Sequence, residues 1–345
     1  MTSPIKLCFT ISLFTLIGIQ IYCEEGKKTS KINAIKVLGS VVKHPRLSYK
    51  GRVTVTKWFG KKTRSEEANV YYSYPNHYRW EYLTPDGGID RIVVGDGKVQ
   101  SVYLPDDKVL IGKGVNSVRK MMDKEKEWSL LFFNYEATIL GEEERLGRTV
   151  WILELKPLSP GKPRQHLMVD QKTYVVLENR RFRPGSGKIA SLTKYDWFEP
   201  IEKLPDTLFE IKKTQDREIV DHGLDPDFLS YEDMEEAWDQ GSDIPEAFPS
   251  GFVFESGNTF DVLGETVGHY RYTDGLAILS VFVSDQPVSK KFKKEAAPIT
   301  DHSHANPILL TTSGRVIFKK GENQYYTLVG DLSKKVLKSA SELLP

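Results

Sequence analysis

The sequence predicts an α+β fold: one large antiparallel β-sheet with covering helices, followed by a smaller α+β domain. Three observations carry this expectation. From Tyr49 onward apolar and polar residues alternate with a period of two, which gives each strand one apolar and one wet face. Turn signals separate these runs too closely for crossover helices, so neighbouring strands run antiparallel. Between 216 and 246 the composition shifts abruptly, with twelve acidic residues against one basic, Arg217, a net charge of −11. A chain of 345 residues accommodates the two domains that this boundary implies.

The N-terminus reads as an export signal over residues 1–23. Lys6 is a minimal positive region, Leu7 to Tyr22 is an apolar run diluted by Thr10, Ser12, Thr15, Gly18 and Gln20, and Glu24, Glu25, Lys27 and Lys28 follow at once. The run is too short and too dilute for a membrane span, which needs about 20 apolar residues; it fits a secretory signal peptide, which marks the chain for export. Ile21-Tyr22-Cys23 is neither an A-x-A cleavage site nor a good lipobox. Two fates of Cys23 therefore stay open: lipidation, which would tether the chain to a membrane, or an inert residue near the cleavage point. Cys8 and Cys23 are the only cysteines, so the rest of the chain forms no disulfide, thiolate metal site or cysteine nucleophile. A thiol-free body suits an oxidising compartment.

Ser30 is a candidate N-cap, and Ile32, Ile35, Leu38 and Val42 recur at helical spacing, which predicts a helix over 31–43 ended by Pro45. Val53 and Val55 open the β pattern; Ala68, Val70, Tyr72 and Tyr74 continue it, then Tyr78, Trp80 and Tyr82. Pro75-Asn76, Pro85-Asp86-Gly87-Gly88 and Gly95-Asp96-Gly97 mark the turns. Helical spacing returns over 114–133, with Val115, Val118, Met121, Met122, Trp128, Leu131 and Phe132. Strands resume at 137–142, 148–156, 164–169, 174–183 and 188–198, so the first domain spans 24–210. The acidic connector, 211–245, carries one helix: Ser230 with Asp233 forms a capping box, and Tyr231, Met234 and Trp238 share a face. This stretch is either a solvated linker or an electrostatic binding site. In the second domain, 246–345, strands are expected at 251–256, 266–272, 276–283, 307–311, 315–319 and 324–329. Asp331 or Ser333 caps a terminal helix with Leu332, Val336, Ala340 and Leu343 on one face.

Composition and motifs argue against several chemistries. Forty-eight basic against 47 acidic residues leave a net charge of +1, with no global attraction for nucleic acid. The phosphate-binding G-x-x-x-x-G-K-[ST], the nucleophile elbow G-x-S-x-G and the zinc motif H-E-x-x-H are all absent. His302 and His304, two apart in Asp301-His302-Ser303-His304, lack an evident third ligand. His269 has no nucleophile motif beside it and takes a structural role. No catalytic residue, metal ligand or cofactor is assigned, and the chain is not expected to be an enzyme.

The stretch His269-Tyr270-Arg271-Tyr272-Thr273-Asp274-Gly275-Leu276-Ala277-Ile278-Leu279-Ser280-Val281-Phe282 resembles H-x-x-Y-S-D-G-L-A-x-x-S-V-F of the MucB/RseB family of sigma-E regulators, with Thr273 for the usual Ser. Phe248-Pro249-Ser250-Gly251-Phe252 is similar to that family's L-P-x-G-F, and Tyr326-Thr327-Leu328-Val329-Gly330-Asp331-Leu332 to its closing strand. Leu204-Pro205-Asp206-Thr207-Leu208-Phe209 fits both this family and the lipoprotein carrier LolA. The resemblance implies that the first domain is an unclosed, LolA-like β-barrel with helices over its mouth. It implies a periplasmic regulator of an envelope stress response, one that binds the periplasmic part of a membrane anti-sigma factor and shields it from proteolysis until a lipid-type ligand releases it. The alternative is a LolA-like carrier of lipid or lipoprotein, although a second domain exceeds what a carrier needs.

Two candidate sites follow. Tyr72, Tyr74, Tyr78, Trp80 and Tyr82 either line a ligand cavity or form ordinary core beneath helices. The turn at Tyr272, Thr273 and Asp274, with the basic run Lys290, Lys291, Lys293 and Lys294, is the expected partner-binding surface. Solvation alone, anionic lipid headgroups and the chain's own acidic connector are the competing explanations of the basic run.

Overall fold

The computed structural model describes residues 34–41, 43, 46–60, 62–96, 99–104, 109–113, 122, 124–210, 219–221, 229–237, 243–262, 265–287 and 314–345. The leader with Cys23, the basic run Lys290–Lys294, the His302/His304 pair and the strand expected at 307–311 lie outside these residues.

The alternating sequence from Ser48 builds two meanders. The first comprises β1 (Ser48–Phe59), β2 (Lys62–Ser73), β3 (His77–Leu83), β4 (Ile89–Asp96), β5 (Val99–Tyr103) and β6 (Val109–Lys113). The second comprises β7 (Tyr135–Arg145), β8 (Arg148–Pro157), β9 (Arg164–Asp170), β10 (Val176–Phe182) and β11 (Ile189–Ile201). Antiparallel pairing of β1 with β11 welds them into one twelve-stranded, unclosed sheet with β7 at one end. The large antiparallel sheet is as expected. The other end differs: β12 (Ile219–Asp221), inside the stretch read as connector, adds parallel to β6. Its partner is far away in sequence, and three residues carry too little periodicity to announce a strand.

Local chemistry explains the tight reversals. β7 and β8 are joined by Leu146 and Gly147, both at positive φ (54° and 68°), the mirror-image hairpin turn that matches strand twist. Helix α1 (residues 34–41) and helix α2 (Lys124–Asn134) lie over the β7–β9 half of the sheet. Ala34, Val37, Leu38 and Leu131 share one buried cluster with Tyr135, Ala137, Leu153, Leu155, Leu167 and Val169.

The second sheet has six antiparallel strands in the order β13 (Ala247–Phe248), β14 (Phe252–Val262), β15 (Glu265–Thr273), β16 (Ile278–Ser284), β18 (Tyr325–Gly330), β17 (Arg315–Lys320). Helix α3 (Tyr231–Ala237) and helix α4 (Lys334–Glu342) bury Met234 and Leu337 in a cluster with Phe252, Tyr270, Tyr272, Leu279 and Leu328. The capping box is reciprocal: the Asp233 N–H donates to Ser230 Oγ (3.0 Å), and the Ser230 N–H donates to Asp233 Oδ2 (3.3 Å). Ser333, rather than Asp331, caps α4, accepting from the Val336 N–H. Among the described residues no helix is long and apolar enough to cross a membrane.

Candidate functional site

Register places the predicted aromatics. Directly opposed residues of an antiparallel pair share a face. Ala68 opposes Tyr82, Val70 opposes Trp80 and Tyr72 opposes Tyr78, so four of the five rings lie on one face of β2 and β3. The row continues from Trp80 to Val93 and then to Val102 on β5. Ala68 and Val70 are each 1% exposed at the root, whereas the rings, Val93 and Val102 are half-buried. Tyr74 falls in the turn after β2 and is 43% exposed.

One end of the band is packed and the other more open. Tyr49 stacks on Tyr72 at 5.1 Å, and Tyr195 and Phe198 close around Tyr49. Gly51 makes this possible, since a Cβ there would lie 2.7 Å from the Tyr195 ring; Gly95 does the same beneath Tyr78. Burial, with Tyr49 and Tyr74 nearby, pushes the Tyr72 phenol up to about 12, so it stays neutral. At the open end Trp80 stacks on Tyr82, and the Arg91 guanidinium sits 3.8 Å above the Tyr82 ring. Arg91 is itself paired with Asp90 at 2.8 Å and with Glu66 at 3.4 Å, so its charge is met by carboxylates, and what the half-buried rings offer is an apolar surface. The opposite face of these strands is covered by Leu204–Phe209, where Arg79, Ile92, Tyr103 and Leu208 line a cleft of about 410 Å³.

The second predicted site requires a correction. Tyr272, Thr273 and Asp274 are 0%, 2% and 0% exposed, so they offer no surface to a partner. The turn faces inward, against the first sheet and α2. Asp274 Oδ1 accepts from the N–H groups of Leu276 (3.0 Å) and Ala277 (2.6 Å). Its Oδ2 accepts from Tyr135 Oη at 3.0 Å and pairs with Lys162 Nζ at 3.0 Å, both charged side chains being 0% exposed. Lys162 spends its other two donors on Asn134 Oδ1 (2.8 Å) and the Ser250 carbonyl (2.7 Å). Asn134 Nδ2 in turn donates to the Asp274 carbonyl at 3.1 Å. Burial and then Asp274 drive the Tyr135 phenol far above its usual range, so it remains a donor.

Gly275 explains how the turn comes so close. It has φ +92°, and a Cβ there would lie 2.3 Å from the Leu131 backbone nitrogen of α2. The seam widens through Ser333, whose N–H donates to the Gly161 carbonyl at 2.8 Å, and through Arg181 paired with Asp331 at 3.0 Å. Lys162 escaped the sequence reading. Ser159-Pro160-Gly161-Lys162-Pro163 looks like a solvated loop, and only a distant partner makes it buried. A lone Lys held between Gly and Pro in a tight loop was the one available signal.

No family model matches the sequence, and no curated protein does. Among solved structures the chain is similar to the Pseudomonas aeruginosa MucA/MucB complex, with TM-score 0.56 and 18% identity over 89% of this chain and 97% of that one. It is similar to MucB in complex with MucA(peri) to the same degree, and to MucB alone with TM-score 0.52 and 18% identity over 91% and 98%. Over 89% of its length the chain has the fold of MucB.

Proposed function

We propose that this chain is a non-catalytic periplasmic binding protein that regulates an envelope stress response, by holding the periplasmic part of a membrane anti-sigma factor and shielding it from proteolysis. The observation that carries the reading is the extent of the MucB likeness, 89% of this chain, which includes the second sheet as well as the curled one. The solved MucB that it resembles is in complex with MucA(peri). Since Tyr272, Thr273 and Asp274 are internal, the proposed contact is the basic run Lys290, Lys291, Lys293 and Lys294, which lies outside the described residues. The test uses the periplasmic segment of the anti-sigma factor from the same genome. The exported chain should bind it and slow its digestion by a site-specific protease. Replacing the four lysines with Glu should slow association and flatten its salt dependence while melting stays unchanged, because rim charges act mainly on encounter. Absence of both binding and protection at saturating protein overturns the reading.

The releasing ligand is lipid-like in this proposal, and the half-exposed band around Trp80 favours it. The same band favours the alternative, a carrier of lipid or lipoprotein. Trp80→Ala should weaken binding of a fluorescent fatty acid by about 2 kcal/mol, roughly thirtyfold in Kd, as loss of a central aromatic anchor does. The half-buried ring should lose less stability than the ~3–5 kcal/mol of a truncated core aromatic. A full core-sized loss with no fatty acid bound by the parent would make the band mere packing. A carrier binds the fatty acid without protecting the anti-sigma segment; a regulator does both.

A further inference from the structure

We propose that Lys162, Asp274 and Asn134 form a registry latch, which allows the two sheets one closed arrangement and otherwise leaves them open. The argument starts from desolvation. Two charges 3.0 Å apart, both 0% exposed, are tolerable only when every donor and acceptor is met. Here the ammonium has three acceptors, Asp274, Asn134 and the Ser250 carbonyl. The Tyr135 ring and the Phe252 ring stand 5.2 and 5.8 Å from it and keep water away. The acceptors come from both sides of the seam: Asn134 ends α2, whereas Ser250 and Asp274 flank β14 and β15.

The latch has two consequences. A small slip or rotation of one sheet on the other would separate Lys162 from at least one acceptor while apolar walls still excluded water. Intermediate arrangements are therefore unfavourable. Full opening is different, because water then reaches both charges and offsets the lost pair. The seam is thus poised between closed and open with little between them. Gly275 and Gly251 sharpen the register, since a Cβ at either would collide with α2, at Leu131 and Asn134 respectively. Such a bistable contact is the kind of element through which occupancy of one sheet is felt at the other.

The test needs no partner or ligand. With Cys8 and Cys23 changed to Ser, paired spin labels at Glu144→Cys and Lys335→Cys, both exposed, report the separation of the two sheets. The otherwise unaltered chain should give one narrow distance. The double variant Lys162→Met, Asp274→Asn removes both charges and keeps an acceptor for the Leu276 and Ala277 N–H groups. It should broaden that distance or add a second one while melting is retained. An unchanged narrow distance overturns the latch. In case the double variant folds poorly, the otherwise unaltered chain is also followed in urea below its unfolding transition. There a second, longer distance should grow at the expense of the first; a single distance drifting continuously overturns the two-state seam.

Discussion

Replacing Asp274 with Ala should destabilise the chain by about 3–5 kcal/mol, the loss typical of removing one partner from a buried ion pair. The size follows from what is left behind. Lys162 would keep a charge with its side chain 0% exposed, and the N–H groups of Leu276 and Ala277 would lose their shared acceptor. Tyr135 Oη would lose its acceptor too. Asp274→Asn should cost less, because the turn survives in it. By contrast, breaking Lys338–Glu342 on the surface of α4, with side chains 70% and 63% exposed, should change stability by about 0.5 kcal/mol or less. Chemical denaturation with matched slopes measures all three. A loss below about 1 kcal/mol for Asp274→Ala would mean that water enters the seam and satisfies the lysine.

The seam also shows how far the sequence was legible. Period-two alternation located strands of the first sheet such as β1 and β2, where one face is more buried than the other and that contrast is local; β16 and β18 of the second sheet are buried on both faces and show no such alternation. Ser230 with Asp233 announced α3 because the capping box too is local, closed within four residues. The aromatic face was legible because register follows from hairpins, and Tyr74 alone fell off it into the turn. Inter-sheet chemistry was not legible. Thr273-Asp274-Gly275 has the composition of a solvent-facing turn, and Asp274 does use its carboxylate to build one. Nothing nearby in the sequence states that the other oxygen meets Lys162. The MucB/RseB-like motif marked the right residues for a different reason: Asp274 and Gly275 hold the two sheets together rather than presenting a surface.

Acid should expose a second weakness, at His269. The ring lies flat on Phe282, 4.4 Å between centres and 12° from parallel. Its Nδ1 is 3.0 Å from Asn258 Oδ1, so Nδ1 carries the proton, and its buried Nε2 has no hydrogen-bond partner. Burial, then the nearby Arg271 charge, lowers its pKa to about 3, against an ordinary value of 6.5. The neutral ring is therefore the folded form. Above pH 6.5 neither state binds the proton and the stability is intact. Between pH 6.5 and 3 the unfolded chain binds a proton that the folded chain refuses, so stability falls with pH by about 1.4 kcal/mol per unit. At pH 5 the cost is about 2 kcal/mol, and it grows until the folded ring itself titrates. His269→Asn keeps a donor for Asn258 and removes the titration. Carboxylates paired in the fold, such as Asp170 with Arg148, also weaken the chain in acid, but they contribute equally to both proteins and cancel in the difference. The parent should thus lose its advantage over His269→Asn as pH falls from 7 to 5. Parallel stability curves over that range would show that the folded chain protonates His269 as readily as the unfolded one, and that the ring is not sealed against water.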